Sequence, residues 1–287
     1  MRVAHNPTEI QQSLGTLRKQ KSIAFVPTMG NLHDGHLKLI AKARELADIV
    51  VTSIYVNPLQ FGPEEDFDTY PRTFEEDAKK CQASGVDFIF HPDNLYTQDG
   101  PKVTLCVDTS LSVPLCGSKR PGHFNGVATV VNLLFNIVQP DFALFGEKDW
   151  QQLVIIRRMV QDLHMPVTIV GVPTQRESDG LAMSSRNRYL TPDERLRAAS
   201  LSRCLHTIRQ GFHDGESDSK LLLERGRNVL AGADIEPEYL EICDEETLEP
   251  LPRLSRSMRA RAFVAARIGK ARLIDNMPLY TMEAINS

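Results

Sequence analysis

The sequence predicts an α/β protein: a doubly wound parallel sheet, followed by a smaller α+β region. Two observations predict it. Short apolar runs alternate with longer helical patterns as far as about residue 175. The character then changes near Arg176, where two helical stretches precede three strand candidates. Strand–helix alternation implies a parallel sheet with helices on both faces. Ligands of such sheets sit in the crevice beyond the carboxyl ends of the strands.

The elements follow in order. Residues 23–26 form an apolar run that Pro27 is expected to stop. Leu37, Leu39, Ile40, Ala43, Leu46 and Ala47 have helical spacing. The β-branched run 49–56 reads as a strand, 74–83 as a helix ending at Gly85, and 86–90 as a strand before Pro92. An apolar helix over 127–138 comes next, then a strand over 142–145, a helix over 151–163 and a strand over 167–171. Beyond Arg176, helices are expected over 192–211 and 219–232, and strands over 239–243, 262–268 and 271–275. No internal repeat or low-complexity segment interrupts this order.

Bulk properties exclude several classes. The chain has 287 residues, 41% hydrophobic and 24% charged, with a formal net charge of −4. That is the balance of an ordinary globular protein, without the basic footprint of a nucleic-acid binder. The arginines 253, 256, 259 and 261 form a short basic cluster, expected to lie on a solvated loop or face. The five cysteines are scattered and contain no CxxC pair, which fits free thiols in a reducing compartment and argues against a structural zinc. The run 127–138 falls short of the roughly 18 apolar residues of a membrane span. The first residues hold no apolar signal region.

The segment from Pro27 to His36 carries the strongest chemistry: Pro27, Thr28, Met29, Gly30, Asn31, Leu32, His33, Asp34, Gly35 and His36. It joins the first strand to the first helix. A helix start offers unpaired N–H groups and partial positive charge, which suits phosphate. Gly30 and Gly35 let backbone approach a ligand closely. Two imidazoles at i and i+3 can donate to one phosphate and stabilise charge that shifts toward a leaving pyrophosphate. The GxxxxGK[ST] loop of P-loop proteins is absent.

Further candidates sit at later loops. Asn57 and Gln60 are amides at the crevice rim, suited to hydroxyls and carboxylates, or simply a polar turn before Pro58. The stretch 117–126 combines Lys119, Arg120 and His123 with glycines; it is either an anion-binding loop or a linker. Gly146, Glu147, Lys148 and Asp149 open another helix, with Asp149 as its cap and Lys148 directed into the crevice as a point charge. Gln152 is about one turn into that helix. Met183, Ser184, Ser185 and Arg186 form a loop of hydroxyls and a guanidinium, suited to a triphosphate.

Histidines in HxGH after the first strand, with Met-Ser-Ser-Arg after the sheet, resemble the HIGH-motif nucleotidylyltransferase superfamily. Within it, PTMGxLHxGH, VNPxQF, YPR, PGHFxG, FGEKDxQQL and DGLAxSSRNxYL occur in one order, and the whole chain is similar to the pantoate–β-alanine ligases (pantothenate synthetases). The resemblance implies a Rossmann-like domain over 1–175 for ATP and pantoate, and a C-terminal lid domain over 176–287. It implies that pantoate attacks the α-phosphorus of ATP, giving pantoyl adenylate and pyrophosphate. The amine of β-alanine then gives pantothenate and AMP. Magnesium accompanies ATP, and a cytoplasmic homodimer that binds neither nucleic acid nor membrane is expected.

By matched position, the resemblance puts residues from Pro27 to His36 on ATP, with His33, His36 and Lys148 as the catalytic set. His36 matches the family's proton-donor position; charge stabilisation is the role expected of it, because adenylation needs little proton transfer. Gly146, Glu147, Lys148, Asp149, Gln175, Met183, Ser184, Ser185 and Arg186 are further ATP positions. Asn57, Gln60, Gln152, Tyr70, Arg120 and His123 match pantoate and β-alanine positions. Gln175 departs from the aliphatic residue common there. Glu76 and Asp77 are carboxylates that spacing alone does not assign to magnesium. A nucleotidylyltransferase that keeps the nucleotide on its product is the competing expectation.

Overall fold

The computed structural model describes residues 1–63, 65–97 and 99–280. In chain order its elements are β1 (Arg2–Ala4), α1 (Pro7–Gly15), β2 (Ile23–Thr28), α2 (Asp34–Leu46), β3 (Ile49–Ile54), α3 (Phe74–Ala83), β4 (Phe88–Phe90), α4 (Thr109–Ser112), α5 (Cys116–Lys119), α6 (His123–Val138), β5 (Phe142–Gly146), α7 (Trp150–Asp162), β6 (Thr168–Val172), α8 (Pro192–Ala198), α9 (Ser200–His213), α10 (Ser219–Ala231), β7 (Pro237–Asp244), β8 (Ala260–Ile268) and β9 (Ala271–Pro278).

The chain divides into two compact units. The first comprises Met1–Asp108, Arg120–Glu147 and Ile155–Pro173. The second comprises Thr109–Lys119, Lys148–Val154 and the chain from Thr174 onward. The division is therefore discontinuous, where the sequence suggested one cut at residue 175.

The first unit holds a six-stranded sheet of order β1-β4-β3-β2-β5-β6, parallel throughout. This is the doubly wound α/β architecture expected. The order reverses at β2, which has β3 on one side and β5 on the other, so the crevice of such a fold opens at the end of β2. The strand runs on through Pro27 to Thr28, beyond the stop expected. Pairing with β3 continues to Thr28↔Ile54, whereas pairing with β5 covers only Ala24 and Phe25. The missing proline N–H therefore breaks no ladder bond. Ala24, Val26, Ile40, Ala43, Val50 and Ile89 are fully or nearly fully buried between sheet and helices. The three-residue β1 is too short to be read from periodicity, whereas α1 has a signal the expectations omit: Asn6 caps it, Pro7 opens it, and Ile10 and Leu14 are one turn apart.

The second unit packs α9 and α10 on an antiparallel sheet of order β7-β8-β9. Leu201, Leu205, Ile208, Leu222 and Val264 are wholly buried there. The helix expected over 192–211 is two helices, broken at Ala199; the residue types give no physical reason for the break. Among the described residues no helix is long and apolar enough to cross a membrane.

Candidate active site

In the first unit the loop after β2 is clamped from below. Thr28 Oγ1 donates to the carbonyl of Ser53 (2.7 Å) and accepts from the N–H of Gly30 (3.1 Å). Gly30 and Asn31 both have positive φ, 82° and 51°. That turn aims the N–H groups of Asn31 and Leu32 at the two oxygens of Asp77, each at 2.7 Å. Thr73 Oγ1 donates to the same carboxylate, and Lys80 Nζ donates to the carbonyl of Leu32. A Cβ on Gly30 would stand 3.1 Å from Asp77 Oδ2, so its glycine serves both the turn and the clamp. Asp77 is wholly buried, and both its oxygens accept from the loop. Asn31 and Leu32 are buried as well, at 5% and 2% exposure, and Asn31 Nδ2 is a buried donor without a hydrogen-bond partner among the described residues.

His33 is the N-cap of α2. Its Nδ1 accepts from the N–H of Gly35 (3.2 Å), and His36 Nδ1 accepts from the N–H of His33 (3.3 Å). Histidines thus fill both places of a capping box, where Ser or Thr and Glu are usual. A neutral imidazole that accepts at Nδ1 carries its proton on Nε2. Both rings, 4.1 Å apart between centroids, therefore hold Nε2–H as a donor. The sequence placed the histidines at a helix start; their use of Nδ1 for the start itself follows only from the coordinates.

The amides of the same unit converge on Gln60. Asn57 Nδ2 donates to Gln60 Oε1 and to the carbonyl of Gly126, both at 3.1 Å. Asn57 Oδ1 accepts from Tyr96 Oη (2.8 Å) and from the N–H of Leu59. Burial holds the Tyr96 phenol above its ordinary range, with the Tyr55 phenol adding to it, so Tyr96 stays a donor. Asn57 is 1% exposed, and these bonds brace it against Gln60.

Arg120 and His123 act on the main chain of Gln60. Arg120 Nη2 and His123 Nδ1 both reach its carbonyl, at 3.0 and 2.8 Å. Arg120 Nη1 stands 2.9 Å from His123 Nε2, which must accept there because a guanidinium only donates. Glu65 completes the pairing of Arg120. Tyr70 is buried at 6% and packs edge-on to Phe61. Gln60 Nε2 points at Met29 Sδ, 3.1 Å away. Stretch 117–126 is helical at both ends, and the chain passes from the second unit to the first within it, between Lys119 and Arg120. Gly126 is required by contact: a Cβ there would fall 2.1 Å from the carbonyl oxygen of Leu59. Met29 and Gly30 also border a cavity of about 460 Å³, with Tyr55, Arg72, Phe74 and His91 in its wall.

In the second unit Lys148 lies in a 3-10 turn leading to α7, with Nζ 3.7 Å from Asp149 Oδ1. The turn runs directly into the helix. Gln151 is buried and donates to the carbonyls of Leu111 and Pro114 while accepting from the N–H of Cys116. Gln152 is half-buried, and no hydrogen bond of its side chain occurs among the described residues. Ser184 caps a second 3-10 turn, accepting from the N–H of Arg186 (3.3 Å). Met183 N–H donates to the carbonyl of Gln175, whose side chain donates to the carbonyl of Arg176. Arg176 forks onto Asp275 at 2.6 and 3.0 Å and so fixes this short hairpin to β9.

The basic cluster in the same unit is not a solvated face throughout. Arg261 is 3% exposed, and Arg259 holds Glu245. Arg261 lies on the face of β8 opposite Ala260, Ala262 and Val264 of the core and is covered by Trp150, which residue type alone did not reveal.

A family profile described as pantoate-beta-alanine ligase matches residues 2–278. The chain belongs to the pantoate-beta-alanine ligase family. Pantothenate synthetase of Vibrio cholerae is 53% identical over 264 residues, which cover 91% of this chain and 89% of that protein. That of Thermotoga neapolitana is 50% identical, covering 96% and 99%. Among solved structures, pantothenate synthetase from Thermus thermophilus matches with TM-score 0.92 and 45% identity, over 98% of this chain and all of the other. The ligase from Francisella tularensis, complexed with beta-gamma ATP and beta-alanine, matches with TM-score 0.82 and 34% identity, over 97% and 98%. This Rossmann-like fold is therefore that of the ligase family in both its units.

Proposed function

We propose that this chain condenses pantoate with β-alanine at the expense of ATP, through an enzyme-bound pantoyl adenylate, releasing AMP and pyrophosphate. The observation that carries the reading is the pair of Nε2–H donors at the start of α2, in a chain half identical to pantothenate synthetases. The likeness to a ligase structure complexed with ATP and β-alanine supports the same substrates here.

The chemistry follows from the donors. As the pantoate carboxylate attacks the α-phosphorus, negative charge passes to the pyrophosphate oxygens. His33 and His36 donate from Nε2 to the phosphate, and the ammonium of Lys148 adds a full charge. Backbone between Met29 and His36, and Ser184, Ser185 and Arg186, complete the nucleotide contacts, with Asp149 on the ribose. Gln60 and Gln152 orient the acid. Gln60 is set for this because its main chain and its amide are both held before substrate arrives, so little ordering is left to lose. Asn57, Arg120 and His123 serve through Gln60.

Among the described residues no group of three or more His, Cys, Asp or Glu is placed to hold a metal ion. Glu76 is exposed and Asp77 is engaged by the loop, so neither forms a protein cage. Magnesium therefore belongs to the nucleotide in this reading, entering as magnesium–ATP with phosphate and water oxygens as its ligands. Homodimeric assembly in the cytoplasm is part of the same reading and rests on family membership. Retention of the nucleotide on the product, as in a nucleotidylyltransferase, has no counterpart in the names of these relatives.

The deciding experiment supplies pantoate and β-alanine separately and together. Pyrophosphate release is expected to require pantoate, and AMP release to require both. ATP cleavage indifferent to pantoate would overturn the reading. His36→Ala is expected to slow adenylation by about a hundredfold or more, the scale of losing one preorganised donor.

A further inference from the structure

The turn carrying Lys148 is held by a buried polar network that the reaction itself does not call for. Arg261, on β8, lays its guanidinium 3.3 Å above the indole ring of Trp150. It donates to Asn276 Oδ1 (2.7 Å) and to Glu245 Oε2 (3.3 Å). Asn276, on β9, turns its Nδ2 onto the carbonyl of Lys148 (2.8 Å). The indole N–H of Trp150 donates to the carbonyl of Glu245 (2.7 Å), and Tyr280 Oη donates to the Glu245 carboxylate (2.5 Å).

Burying a guanidinium and a carboxylate costs desolvation, and a well-packed apolar set of equal volume often stabilises a fold as well or better. Stability alone therefore does not account for this network. What it achieves is geometric. One arm ends on the main chain of Lys148 and the other on the ring two residues on, so both sides of the turn are fixed. The lysine ammonium is left out of it, 3.7 Å from Asp149 and partly accessible. The backbone is thus held while the charge stays available.

We propose that Arg261 and Asn276 are positioning residues for Lys148, setting where its ammonium meets the nucleotide phosphates. This rests on the reading of Lys148 as a phosphate ligand. Neither residue touches substrate; each acts through the Lys148–Trp150 turn.

The test is a double-mutant cycle in the full-length enzyme. Asn276→Asp keeps an acceptor for Arg261 and removes the donor to the Lys148 carbonyl. It is expected to raise the KM for ATP between about tenfold and a hundredfold, the scale of a small misplacement of a catalytic group. The KM for β-alanine should not move. In a Lys148→Ala background the same change should add less than about twofold, because a residue acting through Lys148 has nothing left to place. A full additive loss in that background, or an unchanged KM for ATP in the single variant, overturns the proposal.

The Lys148→Ala arm separates the two ways of failing. If it leaves ATP binding and adenylation untouched, the phosphate reading of Lys148 has failed and the positioning role falls with it. If it weakens both while Asn276→Asp does not, only the positioning role has failed. Trp150 is the single tryptophan, so its emission reports directly whether the network is intact in each variant.

Discussion

Two helix starts bear the cations and donors of the proposed phosphate site, and they are built in opposite ways. The start of α2 is local. His33 and His36 cap it with their own ring nitrogens, within four residues of chain. The start of α7 is not. The Lys148 turn is fixed by Glu245 and Asn276, which stand 95 residues beyond Trp150 and 128 beyond Lys148. The first design links the proposed phosphate donor to the helix cap, since one ring carries both through its two nitrogens. The second separates them, leaving the lysine side chain out of the scaffold that aims it.

The comparison can be broken most sharply at His33. Asparagine is a strong N-cap but has no donor where Nε2–H stands. His33→Asn is expected to cut the adenylation rate by about a hundredfold, while stability in urea stays within about 0.5 kcal/mol. Loss of rate and stability together would mean that cap and donor cannot be separated. The next effect is at Gly126. An added Cβ meets backbone rather than a yielding side chain, so Gly126→Ala should destabilise by about 1–3 kcal/mol, read as a lower urea midpoint at unchanged slope. It should also weaken pantoate binding, because the 57–60 turn that it displaces presents Gln60.

The smallest effect uses the thiols. Burial pushes Cys81, Cys204 and Cys243 each up to about 12, so at pH 8 they remain protonated and unreactive. The exposed Cys106 should label at once. Cys81 belongs to the first unit and Cys204 and Cys243 to the second, so their labelling rates under mild denaturant report which unit opens first. Equal rates for all three would show that the units open together.

The same contrast explains what the sequence disclosed. The strand–helix alternation, the helix starts and the glycine turns are written in residues close together, and periodicity and turn residues exposed them. The helices expected over 37–47 and 74–83 lie within or close to α2 and α3. The candidate residues were likewise visible as motifs, but their division of labour was not. Asn57 looks like a rim amide until Tyr96 and Gly126 are seen to use up its valences. Asp77 looks like a metal carboxylate until the N–H groups of residue 31 and residue 32 are seen to face it. Arg261 looks like part of a solvated cluster because no local pattern tells that Trp150 will lie beneath it. Each of these depends on a partner more than 35 residues away, which no window of sequence contains.

The discontinuous second unit has a consequence for how the chain is made. Synthesis runs from the amino end at about 5–20 residues per second. The His33 cap closes as soon as three further residues have emerged, well within a second at about that pace. Asn276 is added 128 residues after Lys148, so the lysine turn waits roughly 6–26 s for its anchor at the same pace. Once Pro173 has been added, 25 residues into that interval, the first unit has every residue it needs, while the segments Thr109–Lys119 and Lys148–Val154 are still without the strands they belong to. One of the two helix starts of the proposed phosphate site is therefore complete early in the life of the nascent chain, and the other only near its end.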